Sequence, residues 1–231
     1  MHQRIAKIKP KPWLIVPFFC GLLLSTIVTA EKSESAVILV VGDSLSAGYG
    51  MPIEQGWVAL LQHKLIAQKL DYQVVNASIS GDTSQGALSR LPPLLKEYQP
   101  AIVIIEIGGN DGLRGQSTKS MYKNIAQMIE QSQRLGSKVL LLGIEIPPNF
   151  GPRYSELFYQ VYTALNSRYT IAFTPVLLAT LTPELISSDG VHPTAKAQPI
   201  LLDNVWQQLA EMLDTQSSGT TPSSPQPHTG K

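Results

Sequence analysis

The chain has 231 residues, 43% of them hydrophobic and 15% charged, with 18 basic against 17 acidic side chains. That length and composition suit one domain with a sizeable core and exclude a chain disordered throughout. Four of the bases, Arg4, Lys7, Lys9 and Lys11, crowd the front; without them 14 bases face 17 acids, a balance that carries no electrostatic footprint for nucleic acid.

The basic front runs into an apolar stretch from Trp13 to Val28, and Val28-Thr29-Ala30 precedes Glu31. Residues 1–30 therefore read as a secretory signal cleaved near Ala30, which predicts a bacterial periplasmic or secreted protein with no stable membrane insertion after cleavage. The alternative is an uncleaved anchor, because the apolar stretch is nearly long enough to span a membrane. Pro17 and the small-residue exit favour cleavage. Cys20, the one cysteine, lies in this segment, so the mature chain is expected to have neither disulfide nor thiol chemistry.

Val37 to Val41 is a continuous apolar run that breaks into Gly42-Asp43-Ser44. It reads as a buried parallel strand ending in a tight turn, where Asp43 or Ser44 caps the next element. Gly56 to Lys69 reads as a helix with Trp57, Leu60, Leu61, Leu65 and Ile66 on one face. Tyr72 to Val75 is a short strand; the polar loop Asn76–Ser84 leads into a helical stretch with Leu88, Leu91 and Leu95. Pro92-Pro93 predict a kink or restart there. Ala101 to Ile107 is the third strand, ending at Gly108-Gly109-Asn110-Asp111-Gly112. A helix over Lys119–Leu135 stops at Gly136. Lys138 to Ile146 is the fourth strand, Tyr154 to Tyr169 a helix, and Ile171 to Val176 a weaker fifth strand whose Pro175 suits a sheet edge. Asp189-Gly190-Val191-His192-Pro193 precedes a last helix over Thr194–Leu213. Thr215 to Lys231 has no apolar residue and reads as a disordered tail, leaving a domain over 31–214. The alternation of strands and helices predicts an α/β fold, a five-stranded parallel sheet covered on both faces.

Parallel strands place their carboxyl ends on one edge, and ligands bind there. Gly42-Asp43-Ser44, Ser80-Gly81-Asp82 and Gly108-Gly109-Asn110-Asp111 end three of the strands, and Asp189–His192 can reach that edge from just before the last helix. Of the four histidines, His2 and His228 lie in the signal and the tail, and His63 lies mid-helix as a structural residue. His192 alone has a nearby acid: Asp189, three positions earlier, can accept an imidazole N–H and leave the other nitrogen to take the proton of Ser44. An oxyanion would need donors, and the backbone N–H groups of Ser44 and Gly81 and the amide of Asn110 can supply them. Taken singly each residue has a plainer role: Ser44 a helix cap, Asp189-Gly190 a turn, His192 a loop residue, Asn110 a loop cap, Gly81 a positive φ. The conjunction points to acyl transfer.

These four stretches resemble the blocks of the SGNH, or GDSL, hydrolase family, whose namesake serine, glycine, asparagine and histidine correspond to Ser44, Gly81, Asn110 and His192, with Asp189 in the place of the triad acid. The likeness runs from Val37 to Leu213 and is strongest to the multifunctional bacterial group with acyl thioesterase, protease, lysophospholipase and arylesterase activity. It implies a flavodoxin-like three-layer α/β/α sandwich, a periplasmic address and hydrolysis of acyl esters and thioesters. It implies no metal or organic cofactor. The likeness departs around Glu145-Ile146, where that group's well-known member carries a basic residue in place of Glu145, so Glu145 and Ile146 are candidate substrate-binding positions. A monomer acting on a small acyl substrate is expected. Two other readings exist. One is a metal-dependent phosphoesterase with Asp43, Asp82, Asp111, Asp189 and His192 as ligands; the other is a non-catalytic binding domain of the same fold.

Overall fold

In this computed structural model the described residues are 35–217. The expected signal over 1–30 and residues 218–231 of the expected tail lie outside them.

In β1 (Ala36–Gly42), Ile38, Leu39, Val40 and Val41 lose all contact with solvent, as a strand covered on both faces must. β2 (Tyr72–Asn76), β3 (Ile102–Glu106), β4 (Lys138–Leu142) and β5 (Ala172–Thr174) complete one sheet in the order β2-β1-β3-β4-β5. Every pairing is parallel, with Val40 opposite Ile104, and Ile104 in turn opposite Leu140. This is the flavodoxin-like order.

The crossovers set the helical layers. α2 (Trp57–Ala67) links β1 to β2, while α3 (Ser84–Tyr98) carries the chain back across β1 to β3; the two crossovers run in opposite directions, which for crossovers of the same hand places their helices on opposite faces. α2 packs against α7 (Gln198–Ser217), and α3 against α5 (Thr118–Arg134), which also packs on α6 (Pro152–Arg168). Two short helices, α1 (Ser44–Ala47) and α4 (Gly109–Leu113), come directly after β1 and β3. No helix of the described residues is long and apolar enough to cross a membrane.

Several elements differ from the sequence expectation. α3 runs through Pro92 and Pro93 without a break. Both prolines face solvent, where the carbonyls they leave without an N–H partner can hydrate, while Ala87, Leu91 and Leu95 anchor the inner side in the core. On α2, Ile66 turns outward at 64% exposure while Trp57, Leu61 and Leu65 are buried. β4 stops at Leu142 rather than Ile146, because its partner β5 spans only three residues and Pro175 has no N–H to continue the ladder. β5 holds the edge its proline suggested. The last helix is preceded by a 3₁₀ turn, Ala195–Ala197, and extends to Ser217, past the expected start of the tail.

Candidate active site

β1 and β3 are neighbours in the sheet, yet the chain leaves them in opposite directions, so the loops after them part and open a crevice at their carboxyl ends. Ser44 and Asn110 stand at the two sides of that crevice. Asp43 caps α1: its Oδ1 accepts the Leu45 N–H at 3.1 Å, which makes Ser44 the first helical residue. The turn is cramped on its inner side. A Cβ on Gly42 would sit 2.8 Å from Glu106 Oε2 and 2.9 Å from the Ser46 side chain, so only glycine fits.

His192 reaches Ser44 from 148 positions away; its Nε2 lies 2.8 Å from Ser44 Oγ. Its Nδ1 lies 2.7 Å from Asp189 Oδ2. The loop carrying both residues is closed at its base. Ser187 N–H donates to the His192 carbonyl at 2.7 Å, Thr194 N–H donates to the Leu185 carbonyl, and Ile186 bridges Pro193. Asp189 Oδ1 accepts the His192 N–H, the Ser187 hydroxyl and the Val191 N–H. Those donors hold its carboxyl well below the usual carboxylate range, so it meets the imidazole as a full anion. The Tyr49 ring lies on the imidazole, centroids 4.5 Å apart.

Asn110 lies in the first turn of α4 and donates its amide to Asp43 Oδ2 at 3.3 Å. Burial pushes the Asp43 carboxyl up to about 6, against the opposing pull of the Leu45 N–H, His192 and Asn110. Gly81 has φ +80, and its carbonyl accepts from Arg114 at 3.0 Å. Arg90 braces the Gly81 loop to β1: it pairs with Asp82 at 2.8 Å and donates to the Ala77 and Gly42 carbonyls.

A cavity of about 520 Å³ opens beside Ser44, Asn110 and His192. Leu113, Ile144, Val176, Leu178, Leu181 and Ile186 make its wall apolar, and the expected substrate-binding pair, Glu145 and Ile146, lines it too. Gly81 is not among its lining residues.

Of the ligands in the phosphoesterase reading, Asp82 pairs with Arg90, Asp111 accepts the Ser84 N–H and hydroxyl, Asp43 accepts from Leu45 and Asn110, and Asp189 and His192 bind each other. Among the described residues no three His, Cys, Asp or Glu side chains group as metal ligands. His63 is exposed on α2, away from these groups.

Sequence reasoning missed Glu106, Tyr49, Ser187 and Arg90. Glu106 is wholly buried beneath the Ser44 turn, where it accepts the Ser46 hydroxyl at 2.7 Å and the Asp43 N–H at 3.4 Å. Its signal was present, as the one charge in the apolar run Ile102–Ile107. Nothing in the local pattern distinguishes Tyr49 or Arg90.

The sequence profile of the GDSL-like Lipase/Acylhydrolase family matches residues 40–199. Esterase TesA of Pseudomonas aeruginosa is 48% identical over 192 residues, covering 82% of this chain and 96% of that protein. Thioesterase 1/protease 1/lysophospholipase L1 of Escherichia coli K12 is 38% identical over 204 residues, covering 87% and 95%. Among solved structures, the psychrotrophic esterase EstA from Pseudoalteromonas sp., inhibited by monoethylphosphonate, superposes with a TM-score of 0.74 at 41% identity, covering 77% of this chain and 98% of that one.

Proposed function

The chain belongs to the GDSL-like lipase/acylhydrolase family and is a carboxylic ester and thioester hydrolase of the SGNH type, and from that premise we propose that Ser44, His192 and Asp189 form its catalytic triad. The observation that carries this reading is the unbroken relay from Ser44 Oγ to His192 Nε2 at 2.8 Å and from His192 Nδ1 to Asp189 at 2.7 Å.

Ser44 Oγ attacks the carbonyl carbon of the bound ester as His192 Nε2 takes its proton. Asp189 keeps the Nδ1 proton in place and stabilises the imidazolium. The N–H groups of Ser44 and Gly81 and the Asn110 amide hold the oxyanion. His192 returns the proton to the leaving alcohol or thiol, and a water activated by the same nitrogen releases the acid. No step calls on a metal or an organic cofactor.

The substrate is a small molecule with an acyl chain, such as an aryl ester, an acyl thioester or a lysophospholipid. Support comes from the apolar cavity wall beside Ser44 and from the names of the relatives. Glu145 and Ile146 contact the substrate from the cavity wall. The working unit is a monomer, since one chain supplies every group. Residues 1–30 are the export signal, which puts the enzyme in the periplasm or outside the cell; support for this is the basic, apolar and small-residue layout of the front. Amino-terminal sequencing of the periplasmic protein should then begin at Glu31.

The deciding experiment is Ser44→Ala. Covalent labelling by an organophosphonate should vanish and turnover of an aryl ester should fall by several orders of magnitude, leaving the small rate that oxyanion donors alone sustain. Near-normal turnover in the folded variant overturns the triad.

A further inference from the structure

Glu106 is a wholly buried carboxyl that the proposed chemistry does not use. It sits on β3 with no exposed surface, directly under the turn that carries Ser44. Its Oε2 meets the Ser46 hydroxyl at 2.7 Å and the Asp43 N–H at 3.4 Å, so it grips the turn on both sides of Ser44. A Cβ on Gly42 would touch the same oxygen at 2.8 Å, so turn and carboxyl are already in close contact. Ser46 is itself 2% exposed, and water cannot substitute for either partner.

We infer that Glu106 is a positioning residue for the nucleophile: by holding the Ser46 hydroxyl and the Asp43 N–H, its buried carboxyl sets the height of the Gly42–Ser46 turn and so the approach of Ser44 Oγ to His192. This rests on Ser44 being the nucleophile. A group so placed acts through the turn and touches no substrate.

The carboxyl works in its acid form. Its Oε1 is buried with no hydrogen-bond partner, and a buried carboxylate with an unpaired oxygen is costly. No Lys or Arg pairs with it among the described residues. The titratable groups that face it are Asp43 in the turn and Tyr162 of α6, which donates its hydroxyl to the Ile107 carbonyl at 3.0 Å. Burial first, then the Asp43 charge, pushes Glu106 well above the ordinary carboxylate range, and burial raises Tyr162 as well. Ionisation of Glu106 as pH rises would place a second negative charge beneath the turn and displace it.

The test uses the full-length protein and an organophosphonate, whose reaction rate with Ser44 reads nucleophile geometry directly, alongside kcat and KM for an aryl ester. Glu106→Leu removes both contacts and should slow phosphonylation and kcat by up to about 10²-fold, the scale of a misplaced reacting group, with KM little changed. Ser46→Ala removes one contact with almost no change of volume and should slow both by roughly tenfold, a decisive result even if the leucine variant does not fold. Glu106→Gln, neutral and of the same shape, should recover most of the rate and keep it as pH rises past the point where the wild-type rate declines. Wild-type rates in Ser46→Ala and Glu106→Leu overturn the inference, and so does a rise in KM at unchanged kcat. A glutamine variant as slow as the leucine one overturns the acid form. If the wild-type protein is phosphonylated at Ser44 but these variants react at its rate, the inference alone falls; if Ser44 is not labelled at all, the triad falls with it.

Discussion

Asn110 reaches only a long 3.3 Å bond to Asp43 Oδ2, and its amide has a second N–H to offer. If it donates to the oxyanion, Asn110→Ala should lower kcat by about 10²–10³, roughly 3–4 kcal/mol, with KM nearly unchanged, because that charge exists only in the transition state. A paired thermal melt separates the alternative: a loop cap would cost about 1 kcal/mol of stability and leave turnover intact. Asp189 should behave differently. Its Oδ1 accepts three donors within its own loop, and asparagine can keep that oxygen while losing the anion that fixes the histidine tautomer. Asp189→Asn should therefore fold normally yet lose kcat by about 10⁴, the loss seen when the trypsin-type triad aspartate is so changed. A steady-state assay on both variants decides; an Asp189→Asn enzyme within a few fold of wild type removes the aspartate from the relay.

The junction of β4 and β5 ties the sheet to the cavity wall. Gly143 comes after β4, donates its N–H to the Thr174 carbonyl at 2.8 Å and accepts the Leu177 N–H at 2.8 Å. A Cβ there would lie 2.0 Å from the Pro175 carbonyl oxygen, a backbone atom between the bonded Thr174 and Leu177. Gly143→Ala should push β5 and the segment through Val176 outward and cost about 1–3 kcal/mol by overpacking. Val176 lines the cavity, as do Ile144 and Ile146 just beyond Gly143, so KM for a long-chain acyl ester should rise more than KM for a short one. Thermal melts and a chain-length series measure both effects, and unaltered stability would show that the junction is not rigid. The same region explains why the fourth strand is shorter than its apolar run: a strand ends where its partner's donors end, not where its own hydrophobicity does.

Across the whole protein, the carboxyl groups of the site pull stability in opposite directions with pH. Asp43 and Glu106 have raised values in the fold, so the folded state binds more protons than the unfolded one above pH ~4. Their contribution therefore falls as pH rises through about 6 for Asp43, and further for Glu106. Asp189 is lowered, so its contribution is present above its unfolded value of 3.8 and is lost as pH falls below it. The site groups together predict greater resistance to urea at pH ~5 than at pH ~7, although catalysis by a histidine base is favoured at the higher pH. Urea midpoints at the two pH values test this, and the difference should shrink in Glu106→Gln. A midpoint that rises from the lower to the higher pH, equally in both proteins, contradicts the assignment.

The strands, their order of appearance and the loops that carry chemistry were legible in the sequence because each rests on a local signal. A buried parallel strand must be continuously apolar, and Ile38–Val41 and Ile102–Ile105 are. A strand-end turn must be small and polar, as at Gly42-Asp43-Ser44, and an acid three residues before a histidine can reach its ring within one loop. Other features depend on what packs from a distance. α3 keeps its prolines because its other face is clamped by the core. Ile66 turns outward because no described element covers that side of α2. Glu106 reads as a strand residue in sequence, yet its burial under the Ser44 turn comes from the pairing of Gly42 with Glu106 across β1 and β3. Tyr49 comes to lie on His192, and Ser44 comes within 2.8 Å of a histidine 148 positions away, only once the sheet has brought the loop before α7 to the carboxyl edge. Short-range pattern specifies which backbone conformation a segment prefers; the distances that make a nucleophile, and the burial that raises a carboxyl above its ordinary range, arise from the closure of long chain loops over a common core.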